Sequence, residues 1–250
     1  MKTSKRGNVL ITGSSSGLGY YLANCFVKDG YPVFVNGKSD KKVNNVKNLL
    51  NVPGLACDLS KEEDCVKLVK ACENTLGNID TLICNVGSGK SVQAGDESLS
   101  EWKRVFDINF FSTVNTVNAL LKNSKSKNTS IICISSICGM EYIPGAPITY
   151  SVAKSALNAY INTFSKYLIT KGYCLNGIVC GNILFKGSTW DKKIQENKSK
   201  DHSYYLKDVP MSKFATPEEI YNAIKFFSSN DSSFSCGSLL VLDGGQTRSS

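Results

Sequence analysis

The sequence predicts an α/β fold with a doubly wound, mainly parallel sheet and helices on both faces. Seven short apolar runs of strand character alternate with longer stretches of helical periodicity along the 250 residues. Such alternation implies right-handed βαβ units, whose helices cover both faces of a parallel sheet. The hydrophobic content of 42% is that of a globular protein. We therefore expect a single domain over residues 1–250, without an internal repeat or linker.

The predicted elements follow one another in regular order. Strands are expected near residues 8–12, 32–36, 54–57, 79–84, 129–135, 174–180 and 238–242. Helices are expected near residues 17–29, 40–50, 61–76, 98–123, 149–171 and 216–229. Because ligands bind at the carboxyl ends of the strands in such sheets, the residues that follow each strand are the first candidates for a functional site.

A glycine-rich turn follows the first predicted strand. Glycines stand at positions 13, 17 and 19, and a helical stretch continues to Asp29. Glycine lets the backbone approach a pyrophosphate, and a helix N-terminus offers unpaired N–H groups and a positive dipole end. The spacing Gly-x-x-x-Gly-x-Gly differs from the commoner Gly-x-Gly-x-x-Gly. A flexible glycine-serine turn is the alternative, but the position after a buried strand favours a Rossmann-type dinucleotide site.

The segment Tyr150-Ser-Val-Ala-Lys154 places a phenol and an ammonium one helical turn apart. This spacing puts the two side chains on the same side of a helix. A nearby cation favours the phenolate, so we expect Lys154 to lower the pKa of Tyr150. A tyrosine tuned in this way can act as a general acid–base.

Five signatures in order make the chain resemble the short-chain dehydrogenase/reductase family. They are Thr12-Gly13-x-x-x-Gly17-x-Gly19, Asp58, Asn85-Val86-Gly87, Asn109, and Ser136 followed by Tyr150 and Lys154. The match runs from Val9 to Gly245 and is similar to the single-domain 3-oxoacyl-carrier-protein reductase-like oxidoreductases. The resemblance implies an enzyme that interconverts a carbonyl and a secondary alcohol with NAD(P).

The resemblance also implies catalytic roles for four residues. Tyr150 would protonate the substrate oxygen, and Ser136 would donate a hydrogen bond to the same atom. Lys154 would hold the nicotinamide ribose, and Asn109 would hold a water that relays protons to Lys154. Ser135 competes with Ser136, which better fits a Ser-x-x-Gly pattern through Gly139. Tyr150 follows Ser136 by fourteen positions, one more than the family usually has, and the extra residue falls in the loop 140–149.

The resemblance assigns cofactor binding to residues around the predicted strand ends. They are Gly13, Ser15, Ser16, Gly17, Leu18, Gly19, Lys38, Asp58, Leu59, Asn85, Val86, Gly87, Tyr150, Lys154 and Ile183. The second strand ends without the acidic residue that binds the ribose 2′-hydroxyl of NAD, whereas Lys38 is available for a 2′-phosphate. NADP(H) is therefore favoured over NAD(H), although the nearby Asp40 keeps NAD(H) open. Asp58 could instead cap a helix before Ser60.

The segment after the sixth strand departs from the family pattern. It reads Cys180-Gly181-Asn-Ile183-Leu-Phe185 and lacks the usual proline and threonine. Ile183 can still contact the nicotinamide. Residues 186–213 correspond to the family's substrate lid, and their lysines and aromatic residues suit a polar or anionic substrate, such as a keto-sugar or a 3-oxoacyl group.

Composition argues against several other classes of protein. The net charge of +8 comes from scattered lysines, which favours a solvated surface over a nucleic-acid reader. No apolar run reaches the roughly 18–20 residues of a membrane span. Ten cysteines at scattered positions and one histidine predict reduced thiols and no metal site. We expect a cytoplasmic protein. The alternatives are an NAD-dependent alcohol dehydrogenase of the same fold and a cofactor-binding sensor without catalysis.

Family members usually form dimers or tetramers through the two long helices, here near 98–123 and 149–171. The apolar residues Val114, Val117, Leu157 and Ile161 permit a homodimer or homotetramer of this kind.

Overall fold

Seven parallel strands form one sheet in the computed structural model, which describes residues 7–197 and 202–248. The strands are β1 Val9–Ile11, β2 Val33–Gly37, β3 Gly54–Ala56, β4 Thr81–Cys84, β5 Ser130–Ser136, β6 Cys174–Cys180 and β7 Leu239–Leu242. Their order in the sheet is β3-β2-β1-β4-β5-β6-β7, and every neighbouring pair is parallel. The strand order reverses between β1 and β4, where α/β sheets bind ligands. The predicted doubly wound α/β fold is confirmed.

Helices cover both faces of the sheet. They are α1 Gly17–Lys28, α2 Asp40–Leu50, α3 Glu62–Leu76, α4 Leu99–Phe106, α5 Ser112–Asn123, α6 Ile148–Ile169, α7 Thr189–Glu196, α8 His202–Leu206 and α9 Pro217–Phe227. On one face, Leu68 of α3 and Leu157 of α6 belong to one apolar core. On the other face, Leu22 of α1 and Ile224 of α9 belong to a second core. Because the strands pack on both sides, most of their residues are apolar.

One predicted helix differs from the structure. The stretch expected over 98–123 is divided into α4 and α5 by a π-turn at Asp107–Phe111. Asn109 lies in this turn, and its Nδ2 donates to the carbonyl of Val105, four residues earlier, at 3.0 Å. Short π-turns inside helices often occur at functional sites. A periodicity argument does not detect one extra residue in a helical turn.

The predicted lid contains two short helices that the sequence did not indicate. Helix α7 and helix α8 fall within residues 186–213, of which residues 198–201 lie outside the described part of the chain. Leu206, Val209 and Phe214 form a small apolar cluster beneath them, with Trp190 packed against it. This cluster fixes the described parts of the lid beside the carboxyl end of β6.

Candidate active site

A cleft of about 1530 Å³ runs along the carboxyl ends of the strands. Its walls come from the glycine turn, the end of β2, the loops after β4, β5 and β6, and the lid. All the predicted site residues line it except Gly19 and Asn109, which lie directly behind its wall. The volume exceeds the roughly 300–1,000 Å³ of an ordinary small-molecule pocket. The cleft has room for a dinucleotide and a substrate.

The glycine turn provides a backbone seat for an anion. Gly13 and Gly17 have φ values of +62° and +58°, which L side chains rarely adopt. A methyl group on Gly19 would lie 2.5 Å from Nδ2 of Asn85 and collide with the Gly13 carbonyl. Helix α1 begins at Gly17 without a side-chain cap on its first N–H groups. These groups and the helix dipole therefore suit the pyrophosphate of a dinucleotide.

Two asparagines hold this turn in place. Nδ2 of Asn85 donates to the carbonyls of Thr12 and Gly13 at 3.1 and 3.2 Å. Oδ1 of Asn36 accepts a hydrogen bond from the Gly13 amide at 3.2 Å. The sequence predicted a role for Asn85 but none for Asn36. The available signal was a polar residue inside the apolar run of β2, where burial requires hydrogen-bonding partners.

The end of β2 carries a cation and no carboxylate. Nζ of Lys38 lies 2.7 Å from Oδ2 of Asp58. Burial acts to raise the pKa of Asp58, but hydrogen bonds from Lys38 and Ser60 outweigh it and lower the pKa. A side chain at Gly37 would collide with Ser15, so an acidic residue would not fit at that position. Asp58 does not cap the following helix, because α3 begins after Lys61; it accepts instead from the amide and hydroxyl of Ser60.

The two candidate serines at the end of β5 have different environments. Oγ of Ser135 donates to Oδ1 of Asn158 at 2.5 Å inside the core. Oγ of Ser136 accepts from the amide of Cys138 at 3.2 Å, and Ser136 is close enough to the Tyr150 hydroxyl to act against the rise in the pKa of that tyrosine. Ser136 is therefore the serine that meets Tyr150, as the Ser-x-x-Gly pattern predicted.

The predicted net lowering of the Tyr150 pKa is wrong for this structure. Burial raises the pKa of Tyr150, and burial lowers the pKa of Lys154 to about 8. The Lys154 ammonium donates to the carbonyl of Ile134 at 2.8 Å, and its Nζ lies 5.9 Å from the centre of the Tyr150 ring. Desolvation is the largest cause of both shifts, because it disfavours the charged form of each group.

Asn109 and Lys154 both lie beside Gly87. A methyl group at Gly87 would lie 3.2 Å from Oδ1 of Asn109 and 3.4 Å from Nζ of Lys154. Asn109 is 1% exposed, so it is not a solvent-facing helix residue. Its Oδ1 accepts from the amide of Ser88 at 2.8 Å, and its Nδ2 donates to the Ser88 carbonyl at 3.1 Å. These bonds fix the loop after β4 beside Lys154.

An aromatic residue covers the start of α1 from the β6 side. A methyl group on Gly17 would lie 3.7 Å from Cε2 of Phe185, whose ring centre is 5.5 Å from that of Tyr21. Ile183 pairs with Ala215 in an isolated bridge and lines the same wall. No role was predicted for Phe185, which was named only as the end of the segment that lacks the family's proline and threonine.

The lid contributes an aromatic and cationic wall. Trp190, Lys193 and Tyr205 all line the cleft. Nζ of Lys193 lies 4.7 Å from the centre of the Trp190 ring, within the range of a cation–π contact. The hydroxyl of Tyr205 donates to the Lys193 carbonyl at 3.0 Å. This wall can contact both apolar and anionic parts of a ligand.

Within 7–197 and 202–248, no three His, Cys, Asp or Glu side chains cluster in a way that could hold a metal ion. Across those same ranges, no helix combines the length and apolar character that a bilayer crossing requires. All ten cysteines are free thiols, and five of them are fully buried.

Comparisons with known proteins extend over nearly the whole chain. A family model described as enoyl-(acyl carrier protein) reductase matches residues 13–247. The chain is 29% identical to the 3-oxoacyl-[acyl-carrier-protein] reductase FabG of Rickettsia prowazekii (strain Madrid E), covering 94% of this chain and 95% of that protein. It is 30% identical to glucose 1-dehydrogenase 2 of Bacillus subtilis (strain 168), covering 95% of this chain and 93% of that protein.

A solved structure matches the fold closely. The NADPH-bound short-chain oxidoreductase of Pseudomonas aeruginosa PAO1, described as containing an atypical catalytic center, superposes with a TM-score of 0.89. The two sequences are 21% identical, and the match covers 98% of each chain. At this identity the likeness establishes the shared fold.

Proposed function

Because the chain belongs to the short-chain dehydrogenase/reductase family, we propose that it is an NADPH-dependent reductase of a substrate carbonyl. The family and its named relatives make it an oxidoreductase acting on CH–OH or C=O groups. The observation that carries the proposal is the meeting of Tyr150, Ser136 and Lys154 in the cleft that also contains the glycine turn. A non-catalytic sensor would not need a hydroxyl pair and a buried ammonium there.

The chain's own residues supply proton transfer and orientation. When bound, NADPH supplies a hydride to the carbonyl carbon of the substrate. Tyr150 donates its proton to the carbonyl oxygen, and Ser136 donates a hydrogen bond to the same oxygen. The raised pKa of Tyr150 keeps its hydroxyl protonated, which is the form that reduction requires. The Lys154 ammonium stabilises the phenolate that forms after proton transfer.

The preference for NADPH rests on Lys38. Its ammonium lies in the cleft, where it pairs with Asp58, and β2 itself ends without a carboxylate for the ribose 2′-hydroxyl. Lys42, in the first turn of α2, lines the same wall. The two lysines favour the binding of a 2′-phosphate. The Lys38 ammonium, which now pairs with Asp58, would then bind the phosphate. The other proposed cofactor contacts are those at the glycine turn, at Asn85, Val86 and Gly87, and at Ile183.

The substrate is proposed to be a 3-oxoacyl group or a keto-sugar. The named relatives include a 3-oxoacyl carrier-protein reductase and a glucose dehydrogenase. The lid wall of Trp190 and Lys193 supports a substrate with apolar and anionic or polar parts. We further propose a cytoplasmic homo-oligomer that works without a metal ion, nucleic acid or membrane.

The test follows NADPH consumption with a panel of 3-oxoacyl thioesters, keto-sugars, aldehydes and ketones. We expect oxidation of NADPH with at least one class and loss of this activity in Tyr150→Phe. The same panel is run with NADH. Tight NADPH binding without turnover on any carbonyl would contradict the reductase assignment and favour the sensor alternative. Clearly tighter NADH binding would overturn the cofactor preference.

A further inference from the structure

A polar bridge connects the loop after β4 to the first turn of α6. Oγ of Ser91 donates to Oε1 of Glu101 at 2.8 Å and lies 2.7 Å from Oγ1 of Thr149. Glu101 belongs to α4, and Thr149 directly precedes Tyr150. We name Ser91, Glu101, Arg104 and Thr149 the Glu101 clamp. None of its members has a part in the reaction steps above.

Arg104 fixes the carboxylate at the centre of the clamp. Its Nε and NH2 atoms donate to the two oxygens of Glu101 at 2.7 and 2.6 Å. The same NH2 donates to the carbonyl of Lys90 at 3.0 Å, so the arginine also holds the loop. A two-pronged arginine–carboxylate pair fixes geometry better than a single contact does. The Glu101 side chain is only 14% exposed, against 45% for Arg104.

The ionised carboxylate orders the hydrogen bonds of the clamp. Hydrogen bonds from Arg104, and then from Ser91, lower the pKa of Glu101 to about 2. An ionised carboxylate can only accept, so the single proton of Ser91 goes to Glu101. Thr149 must then donate its own proton to Oγ of Ser91. The clamp is a one-way chain from the fully buried Thr149 to Glu101.

The clamp connects two parts of the cleft whose relative position matters for the reaction: the loop after β4, on the cofactor side, and the first turn of α6. The loop after β4 contains Gly87, which lies beside Lys154, and Ser88, which is hydrogen-bonded to Asn109. The first turn of α6 carries Tyr150. We propose that Glu101 is a positioning residue that holds Tyr150 at a fixed distance from the cofactor wall. The expected loss of kcat rests on the proposed function. The expected change in hydrogen exchange does not depend on it.

The test compares Glu101→Ala, Glu101→Gln and Ser91→Ala with the matched control Glu63→Ala, an exposed carboxylate in the first turn of α3. Amide hydrogen exchange is measured over residues 88–92 and 148–152. We expect Glu101→Ala to accelerate exchange in both segments and to lower kcat about 10–100-fold with NADPH affinity unchanged. Glu101→Gln keeps an oxygen that accepts from Ser91 and should recover part of kcat. Glu63→Ala should match wild type in every measurement.

Two outcomes would overturn the inference. One is wild-type exchange over 148–152 in Glu101→Ala. The other is faster exchange throughout the chain in Glu101→Ala and Ser91→Ala, because a purely structural role would loosen the whole fold. If wild type reduces no carbonyl, the proposed function fails, while the exchange experiment still decides whether the clamp fixes the first turn of α6.

Discussion

The ammonium of Lys154 donates a hydrogen bond to the carbonyl of Ile134 at 2.8 Å, which fixes α6 to the carboxyl end of β5. The lysine is 3% exposed, so its charge is held by this carbonyl and by few other polar groups. Burial therefore lowers its pKa to about 8, within the range where enzymes operate.

This pKa predicts an alkaline limit to carbonyl reduction. Below pH 8 Lys154 is mostly charged, and above it the ammonium that stabilises the Tyr150 phenolate is lost. We expect kcat/KM, which reports groups of the free enzyme, to fall about tenfold per pH unit above pH 8. Lys154→Arg keeps a positive charge at every working pH, so the kcat/KM of this variant should not fall above pH 8. A profile of wild-type kcat/KM that is flat to pH 10 would contradict the assignment.

Replacing Tyr150 by Phe should separate chemistry from binding. The change removes the proton donor but leaves the ring that packs beside Ser136 and Lys154. We expect kcat to fall about 10²–10⁴-fold while the Kd for NADPH, measured by fluorescence titration, stays the same. Tyr167→Phe, on the exposed side of the same helix, is the control and should keep full activity. Retention of more than about a tenth of the rate in Tyr150→Phe would exclude Tyr150 as the proton donor.

Lys38 should distinguish the two nicotinamide cofactors. Hydrogen bonds to charged groups contribute about 1.5–3 kcal/mol, so Lys38→Ala should weaken NADPH binding roughly 10–100-fold. NADH lacks the 2′-phosphate, and its Kd should change little. Calorimetric titration of both cofactors measures the difference. Lys41→Ala, an exposed lysine of α2 outside the cleft, is the control. An equal loss of affinity for NADPH and NADH would show that Lys38 does not bind the 2′-phosphate.

Gly19 should tolerate no side chain. A methyl group there would meet Nδ2 of Asn85 at 2.5 Å and the Gly13 carbonyl, which are both part of the glycine turn. Overpacking of this kind costs about 1–3 kcal/mol, so Gly19→Ala should lower the melting temperature and weaken NADPH binding. Gly89→Ala, whose methyl group meets no atom within 4 Å, should melt like wild type. Equal melting temperatures for the two variants would contradict the close packing of the turn.

Local sequence signals predicted the fold because each element carries its own pattern. The strand predicted over 174–180 and the helix predicted over 40–50 have those bounds in the structure. The π-turn at Asp107–Phe111 was missed because its cause is a set of bonds from Asn109 to Ser88 and Val105. The bonds between Asn109 and Ser88 join residues 21 positions apart and leave no periodic signal.

The site residues could also be predicted from local sequence motifs, whereas their pKa values and mutual contacts could not. Motif spacing indicated the residues that line the cleft, but not the ionisation of its central pair. The pKa values of Tyr150 and Lys154 depend on burial by all surrounding elements, which spacing alone does not reveal. The pairing of Lys38 with Asp58 and the clamp around Glu101 are likewise contacts between separate elements.

The interface of the proposed oligomer would involve other residues than most of those predicted from the sequence. Val117, Leu157 and Ile161 are buried in the chain's own core and cannot contact a partner. The exposed apolar residues of the two long helical segments are Leu99, Phe111, Ile148, Val152, Tyr167 and Ile169. The predicted role of Val117, Leu157 and Ile161 is therefore wrong, because the stripe that faces the sheet is the most apolar one on each helix.

A charge among the exposed apolar residues of α6 should dissociate the proposed oligomer. Val152 is 43% exposed on α6, and burying a glutamate there at an interface would leave a charge without a partner. We expect Val152→Glu to shift the mass measured by light scattering to that of the monomer. Leu49→Glu, on an exposed apolar residue of α2, is the matched control and should keep the wild-type mass. A wild-type protein that is monomeric at every concentration would contradict the interface, because no partner would then cover this face.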